Sequence, residues 1–180
     1  MGFAISWIAF KGKSKEEALV VLGLSDSGEI DEAVESPMAG ASLPTGWYVV
    51  SFSDYDFVTP DRLARFSAGC DLVGCQVEEH VMASTTYIFK NGRELFSVHH
   101  QGDEEIYSLA ARGDPPATYA NLRDRLIKEQ DTAGGRKADV DHIFDIPVQL
   151  AAELCGYRHD MMTFDGGEPR FTRLEPAFSL

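Results

Sequence analysis

Motifs that mark several large enzyme classes are missing from this sequence. It contains neither a G-x-G-x-x-G fingerprint nor a G-x-x-x-x-G-K-[ST] loop. These absences argue against a dinucleotide-binding Rossmann site and against a P-loop, because both need a glycine-rich turn that holds phosphate groups. We therefore expect no nucleotide, and no other cofactor is indicated.

Basic side chains are few. The chain has 16 Lys and Arg residues against 29 Asp and Glu residues, which gives a formal net charge of −13 at pH 7. This charge repels phosphate backbones and anionic lipid. We therefore expect neither nucleic acid nor a membrane as a partner, whereas the same charge favours encounter with a basic protein.

Cysteine is scarce, and the spacing of its residues is not that of a disulfide framework. The three cysteines, Cys70, Cys75 and Cys155, are an odd number, with no C-x-x-C pair and no histidines at zinc-finger spacing. This pattern predicts reduced, buried thiols in a cytoplasmic chain. The apolar run over residues 3–10 is broken by Ser6 and is far too short to span a bilayer. We therefore expect neither a signal peptide nor a membrane helix.

The remaining composition is that of an ordinary globular chain. Of 180 residues, 44% are apolar and 25% are charged, which is close to the average for folded domains. A chain of this length can bury one substantial core and is short for two. We predict a single domain over residues 1–180.

Helix-start signals predict four helices. Ser14 and Glu17 have the spacing of a capping box, so a helix should begin at Lys15. Proline and acidic residues in a first turn predict three more helices. Residues 131–141, between the third and fourth helices, are polar and predict a mobile loop. Residues 158–180, after the fourth helix, predict an irregular tail that packs on the domain through its aromatic residues. The three later starts are Thr59-Pro60, Asp114-Pro115-Pro116 and Asp145-Ile146-Pro147.

Alternating apolar residues predict five strands, with a short sixth candidate. Residues 3–10 are apolar on both sides and suit an interior strand. Residues 46–52 and 72–82 form two more, and a further two meet at Asn91-Gly92. The short candidate covers residues 30–34 in a segment otherwise rich in glycine and proline.

The turn at Asn91-Gly92 determines where two histidines should lie. A two-residue hairpin turn needs positive φ at both central positions, which favours Asn-Gly. Pairing across this turn places Tyr87 opposite Phe96. That register predicts His100 on the face of these two rings and His99 on the opposite face.

Gln76, Glu78 and His80 form a first candidate binding site, because alternate residues of the predicted strand share one face. The simplest interpretation is a solvated face of a half-buried strand. Glu78 and His80 could instead bind a metal ion or act as general acid and base. At most one of His99 and His100 can join them, and no serine or cysteine is marked as a nucleophile.

Tyr157, Arg158, His159 and Asp160 form a second cluster just after the last predicted helix. A basic residue near a helix C-terminus is favourable against the helix dipole, and a nearby aspartate can pair with it. This gives the cluster a structural explanation. The alternative is a recognition surface or the wall of a site.

Several segments together resemble a group of uncharacterised bacterial proteins over most of the length of this chain. The segments are Gly46-Trp47-Tyr48-Val49-Val50, Gln76-Val77-Glu78-Glu79-His80-Val81-Met82, Phe144-Asp145-Ile146-Pro147 and Gly156-Tyr157-Arg158-His159-Asp160. The resemblance implies one domain and no assigned activity.

These observations favour an α+β fold with a mainly antiparallel sheet of five or six strands and about four helices packed mostly on one face. We expect an acidic cytoplasmic binding or protein-interaction module without catalytic activity, with a basic protein partner. A toxin-neutralising immunity role would fit this small acidic α+β character by analogy of fold and charge. The alternative is a metal-dependent or general acid/base enzyme using Glu78 and His80, and an open sheet edge would allow a homodimer.

Overall fold

Nine antiparallel strands form one sheet in the computed structural model, which describes residues 2–161 and 163–178. The strand order within that range is β2-β9-β3-β4-β1-β5-β6-β7-β8. The sheet therefore has more than the five or six strands predicted. The strands are β1 (Ala4–Lys11), β2 (Leu24–Ile30), β3 (Met38–Ser42), β4 (Tyr48–Phe52), β5 (Asp71–Glu78), β6 (Ala83–Lys90), β7 (Arg93–Gln101), β8 (Ala110–Gly113) and β9 (Thr172–Pro176).

β1 lies at the centre of this sheet, between β4 and β5. Its alternate residues Trp7 and Ala9 face one side, and Ile8 and Phe10 face the other, and all four are fully buried. The prediction of an interior strand is confirmed. A strand that is apolar on both sides must be covered on both sides.

Four helices provide that cover in the described range: α1 (Lys15–Leu22), α2 (Pro60–Phe66), α3 (Tyr119–Ala133) and α4 (Asp145–Cys155). α1 and α2 pack on the side of Ile8, and α4 packs on the side of Trp7 with α3 against it. The helices are thus divided between the two faces, and the prediction that most lie on one face is wrong.

Three of the four predicted helix starts are present. The helix predicted to open at Asp114-Pro115-Pro116 begins only at Tyr119, because a residue that precedes a proline disfavours helical backbone angles. Ser14 accepts a hydrogen bond from the backbone of Glu17, whose side chain accepts one from the backbone N–H of Ser14, so the capping box is complete. Thr59 caps α2 with Pro60 in its first turn. These signals were reliable because each acts within four residues of sequence.

The missed strands lack the patterns by which strands are recognised. After Met38, β3 is made of small residues, and β8 is exposed along its whole length. β2 is largely polar, and it ends at Ile30, where the candidate strand was predicted to begin. β2 and β8 are the two edges of the sheet, where burial on both faces is not required.

The β6–β7 hairpin begins in the predicted register and then departs from it. Asn91 and Gly92 have φ values of 49° and 79°, as the two-residue turn requires. A bulge next to Phe89 then shifts the pairing by one residue, so Tyr87 faces Ser97 instead of Phe96. The face prediction for Tyr87 is therefore wrong, because an extra residue in one strand reverses the facing of all later pairs.

The end of the chain is more regular than its composition predicts. Within the segment 158–180, Thr172–Pro176 forms β9 and pairs with both β2 and β3, so the prediction of an irregular tail is wrong there. Residues 131–133 of the predicted loop belong to α3. No helix in the described ranges has the length and apolar character needed to cross a bilayer.

Candidate functional site

Glu78 and His80 are neighbours, although not through a strand face. β5 ends at Glu78, four residues before the predicted end of the strand at residue 82. His80 lies in the following turn, where its Nδ1 is 2.6 Å from Oε1 of Glu78. This hydrogen bond lowers the pKa of the Glu78 carboxyl. The imidazole is 62% exposed, so the pair is largely solvated.

The hairpin histidines do not join this pair. Register places His99 on the face of Gln76, and Nδ1 of His99 lies 2.7 Å from Oγ1 of Thr85. Burial lowers the pKa of His99, which favours its neutral form. Gln76 donates to the carbonyl of Tyr55. Within the described part of the chain, no three His, Cys, Asp or Glu side chains are grouped to hold a metal ion.

His100 lies on the opposite face and is fully buried. Its Nδ1 is 2.6 Å from the carbonyl oxygen of Ser108, and its Nε2 is 2.9 Å from Oδ2 of Asp141. The other oxygen of Asp141 accepts hydrogen bonds from two backbone N–H groups just before α4. His100 thus connects β7 to two loops, which is a structural role.

The second predicted cluster separates into two pairs. Arg158 donates to Asp145 and Gln149 of α4 and to Asp160. Burial opposes its charge, but Asp160 and Asp145 raise the pKa of the guanidinium above its ordinary value. Arg158 and Asp160 therefore form an ion-pair network that fastens the chain after α4.

Tyr157 and His159 line a cleft of about 650 Å³ on the other side of that segment. Aromatic residues and glutamates share the lining, and none of its described lining residues is Lys or Arg. We call this feature the acidic cleft. The residues that define it are Phe3, Tyr157, His159, Glu32, Glu35 and Glu168. Glu32 and Glu168 also line an adjoining cleft of about 430 Å³, which contains Arg170.

The imidazole of His159 is buried beside the acidic cleft, with 2% of its side chain exposed. Its Nε2 is 3.2 Å from Oε1 of Glu79, and its ring packs against the rings of Phe3 and Trp7 at 5.0 and 5.7 Å between centroids. Its Nδ1 is buried and has no hydrogen-bond partner among the described residues. A buried polar atom without a partner is uncommon in folded proteins.

Glu79 holds two parts of the cleft together. One carboxylate oxygen faces His159, and the other accepts a hydrogen bond of 3.0 Å from the backbone N–H of Phe3. The backbone N–H of Glu79 donates in turn to the carbonyl of Phe3. The carboxylate therefore joins the beginning of β1 to the segment after α4.

Tyr157 is a second aromatic residue of the acidic cleft. Its ring meets Trp7 edge to face at 5.6 Å between centroids. Burial raises the pKa of the Tyr157 hydroxyl, and a hydrogen bond with Ser51 only partly offsets this effect. The phenol therefore stays protonated at neutral pH and can donate or accept a hydrogen bond.

The wall that carries Glu32 and Glu35 is a turn organised by Asp31. The Asp31 carboxylate accepts hydrogen bonds from the backbone N–H groups of Glu35 and Ser36 at 3.0 and 2.9 Å. Although burial alone would raise the pKa of Asp31, these hydrogen bonds lower it. Val34 in this turn has a φ of 53°, a strained value for a β-branched residue. Strain of this kind is concentrated at functional sites.

Sequence reasoning found Tyr157 and His159 but missed the rest of the cleft. One sequence signal pointed to Glu79. If β5 continued, Glu79 would share the apolar face of Cys75 and Val77, and a charged residue on an apolar face needs a partner. The glutamates of the other wall are exposed residues in loops. Nothing in the local sequence distinguishes them from other surface acids.

A comparison of the chain with protein-family models, with curated proteins and with solved structures finds no match. The resemblance to uncharacterised bacterial proteins stays a prediction. The geometry of the cleft is therefore the basis of the functional proposal.

Proposed function

We propose that this protein is a non-catalytic interaction module that binds a basic segment of a partner protein in the acidic cleft. The observation that carries the proposal is the combination of three glutamates with aromatic rings around an opening of about 650 Å³. Carboxylates attract a cationic side chain, and aromatic rings favour the alkyl or planar part of the same side chain.

The charge of the whole chain supports the same choice of partner. A net charge of −13 raises the encounter rate with a basic protein and disfavours an acidic one. We propose a cytoplasmic location, in agreement with three buried cysteines that form no disulfide. A role like that of an immunity protein fits this description by analogy of charge and fold class.

Calorimetric titration with a nine-residue peptide of alternating glycine and lysine tests the proposal. We expect binding that weakens as salt rises, because exposed ion pairs are screened. A variant with Glu32→Gln, Glu35→Gln and Glu168→Gln should bind about tenfold more weakly, since three exposed pairs contribute roughly 0.5 kcal/mol each.

A matched variant controls for net charge. Glu16→Gln, Glu104→Gln and Asp139→Asn also remove three charges, from exposed residues that do not line the acidic cleft. If this variant binds the peptide with wild-type affinity, the result supports binding in the acidic cleft. An equal loss in both variants, or no binding by the wild type, contradicts the proposal.

The alternative of an enzyme that uses Glu78 and His80 is based on their hydrogen bond alone. Metal analysis of the purified protein tests it. A stoichiometric transition metal that is lost in His80→Ala would favour the enzyme over the interaction module.

A further inference from the structure

We propose that β8 is the contact surface of a homodimer, in which the β8 strands of two copies of this chain pair antiparallel across a two-fold axis at Ala111. The surface is separate from the acidic cleft, because Ala110–Gly113 lie outside the lining of that cleft. The inference therefore does not depend on the proposed function. It begins from a difference between β2 and β8, the two edges of the sheet.

The β2 edge is closed by its own side chains. A bulge interrupts the pairing of β2 with β9 between Asp26 and Ile30. In this bulge the Asp26 carboxylate accepts a hydrogen bond of 2.8 Å from the backbone N–H of Gly28, and the Ser27 hydroxyl accepts one of 3.1 Å from that of Glu29. Bulges and charged side chains of this kind keep an edge strand from pairing with another chain.

The β8 edge is open, and it directs backbone groups of Ala111 away from the sheet. The backbone N–H of Asp114 donates to the carbonyl of Leu95 on β7 at 2.8 Å. Hydrogen-bonded pairs alternate with non-hydrogen-bonded pairs along an antiparallel ladder. Arg112 therefore also directs its backbone groups toward β7, whereas the N–H and C=O of Ala111 face outward. All four residues of β8 are exposed, so a second strand can reach these groups.

A second copy of β8 uses the outward groups of Ala111 directly. With the two-fold axis at Ala111, the N–H of this residue in each copy donates to the Ala111 carbonyl of the other. This register places Arg112 opposite Ala110 of the second copy. An axis at Arg112 would instead place two like charges directly opposite each other, which is unfavourable.

Charges at the two ends of β8 are complementary in this register. Ala110 pairs with His99 near the end of β7, so the acidic segment that follows β7 lies at this end of β8. Burial and the nearby His100 lower the pKa of His99, and the Glu104 carboxylate of that segment is close enough to oppose them. Arg112 shares a face with Ala110, so Arg112 of one copy lies beside Glu104 of the other.

Arg112 can make this contact while it keeps its own carboxylate partner. Its Nη2 donates to both oxygens of Glu94, at 3.0 and 3.1 Å, and the side chain is still 74% exposed. A guanidinium has five N–H donors and can therefore bind a second carboxylate. The ion pair between the copies selects the second copy as the occupant of this edge.

The dimer should be weak. A contact between two four-residue strands is small compared with the roughly 1,200 Å² buried in a stable interface, and the net charge of −13 opposes self-association. We expect a dissociation constant on the order of 100 µM. The chain is then a monomer at the low micromolar concentrations of an unfolding experiment.

Sedimentation equilibrium over roughly 5 to 500 µM measures the association. The mean mass of the wild type should rise from that of one chain toward that of two. Ala111→Pro removes the outward N–H, and an edge strand tolerates proline where the N–H faces solvent, so this variant should fold but remain a monomer. Ala111→Ser keeps the N–H and is the matched control, which should associate as the wild type does.

Arg112→Glu and Glu104→Arg test the ion pair by complementation. Each variant alone brings like charges together in its own dimer, so it should associate about tenfold more weakly than the wild type. In an equimolar mixture, each introduced charge meets the opposite charge of the other variant. The affinity should then recover about tenfold, which requires a contact between two copies.

Three results would each overturn the proposal. They are a wild type that stays monomeric at the highest concentration, an Ala111→Pro variant that folds and dimerises as the wild type does, and a mixture that associates as weakly as its two components. Circular dichroism reports whether Ala111→Pro is folded. If it is not, the mixture of Arg112→Glu with Glu104→Arg decides the outcome, because both substitutions are at exposed side chains.

Discussion

His100 and Asp141 form a buried pair in which Nε2 of the imidazole lies 2.9 Å from Oδ2 of the carboxylate. The residues are 41 positions apart in sequence. Both nitrogens of the ring face acceptors, the second being the carbonyl oxygen of Ser108. His100 therefore ties β7 to the β7–β8 loop and to the segment between α3 and α4.

Loss of this pair should destabilise the whole fold. We expect Asp141→Ala to lower the free energy of unfolding by about 3 kcal/mol, because it leaves a buried imidazole without its carboxylate. Gly102→Ala should act similarly, since its Cβ would lie 2.8 Å from Nε2 of His100 and closer still to Asp141. Urea unfolding measures both, with the exposed Glu104→Ala as control. A loss below about 0.5 kcal/mol in Asp141→Ala would contradict the prediction.

The fully buried Gln130 should control the segment that follows α3. Its side chain donates to the carbonyls of Gly135 and Val140 and accepts from the backbone N–H of His142. Gln130→Leu keeps the volume but leaves these groups unpaired, so we expect a loss of about 2 kcal/mol. Hydrogen exchange over residues 134–142 should become faster, which also tests the predicted mobility of the loop. Unchanged exchange would contradict this role.

Acid should weaken the turn that forms the wall of the acidic cleft. The pKa of Asp31 is lowered in the folded protein from its ordinary value of 3.8. A lowered folded pKa means that the carboxylate stabilises the fold above about pH 4 and that this contribution is lost as the pH falls through the folded pKa. Asp31→Asn should therefore be less stable than wild type at pH 6, and the difference should shrink toward pH 2.

Unfolding curves of the two proteins at several pH values measure this difference. Glu32→Gln, from the same turn but exposed, should follow the wild type. A difference between Asp31→Asn and wild type that stays constant down to pH 2 would show that the carboxylate charge does not organise the turn.

The cysteines should be unreactive until the protein unfolds. Burial raises the pKa of the Cys155 thiol to about 12, and it also raises the pKa values of Cys75 and Cys70. Because the thiolate is the reactive form, a thiol reagent such as DTNB should label none of them quickly at pH 8. All three should react in urea. Rapid labelling of a cysteine in the folded protein would contradict this prediction, because it would show that the structure around that thiol opens readily to solvent.

Short-range signals predicted the elements that depend on them. The cap at Ser14 and the turn at Asn91-Gly92 both need only a few adjacent residues, and both are present. The strand β3 was missed because Ala39, Gly40 and Ala41 carry no strand pattern. Gly40 is needed there because a Cβ would collide with the ring of Tyr48 on the adjacent strand. That requirement is invisible without the neighbouring strand.

The candidate site likewise contains residues that the local sequence indicated and residues that only the fold brings together. Tyr157 and His159 were candidates from the sequence because they follow a helix end in a polar cluster. Their separation from Arg158 and Asp160 was not predicted, since it depends on contacts with residues elsewhere in the chain. Glu79, 80 positions from His159, became part of the site only through folding.

The sequence alone determined three of the four helix starts, the central apolar strand and the hairpin turn. It also determined that the chain is acidic and lacks a nucleotide-binding motif. These properties depend on residues within a turn or two of one another, or on composition. Tertiary structure decided the nine-stranded sheet, the division of the helices between its faces and the register after the bulge. It also decided the acidic cleft, because the cleft depends on which distant segments pack together to bury β1 on both sides.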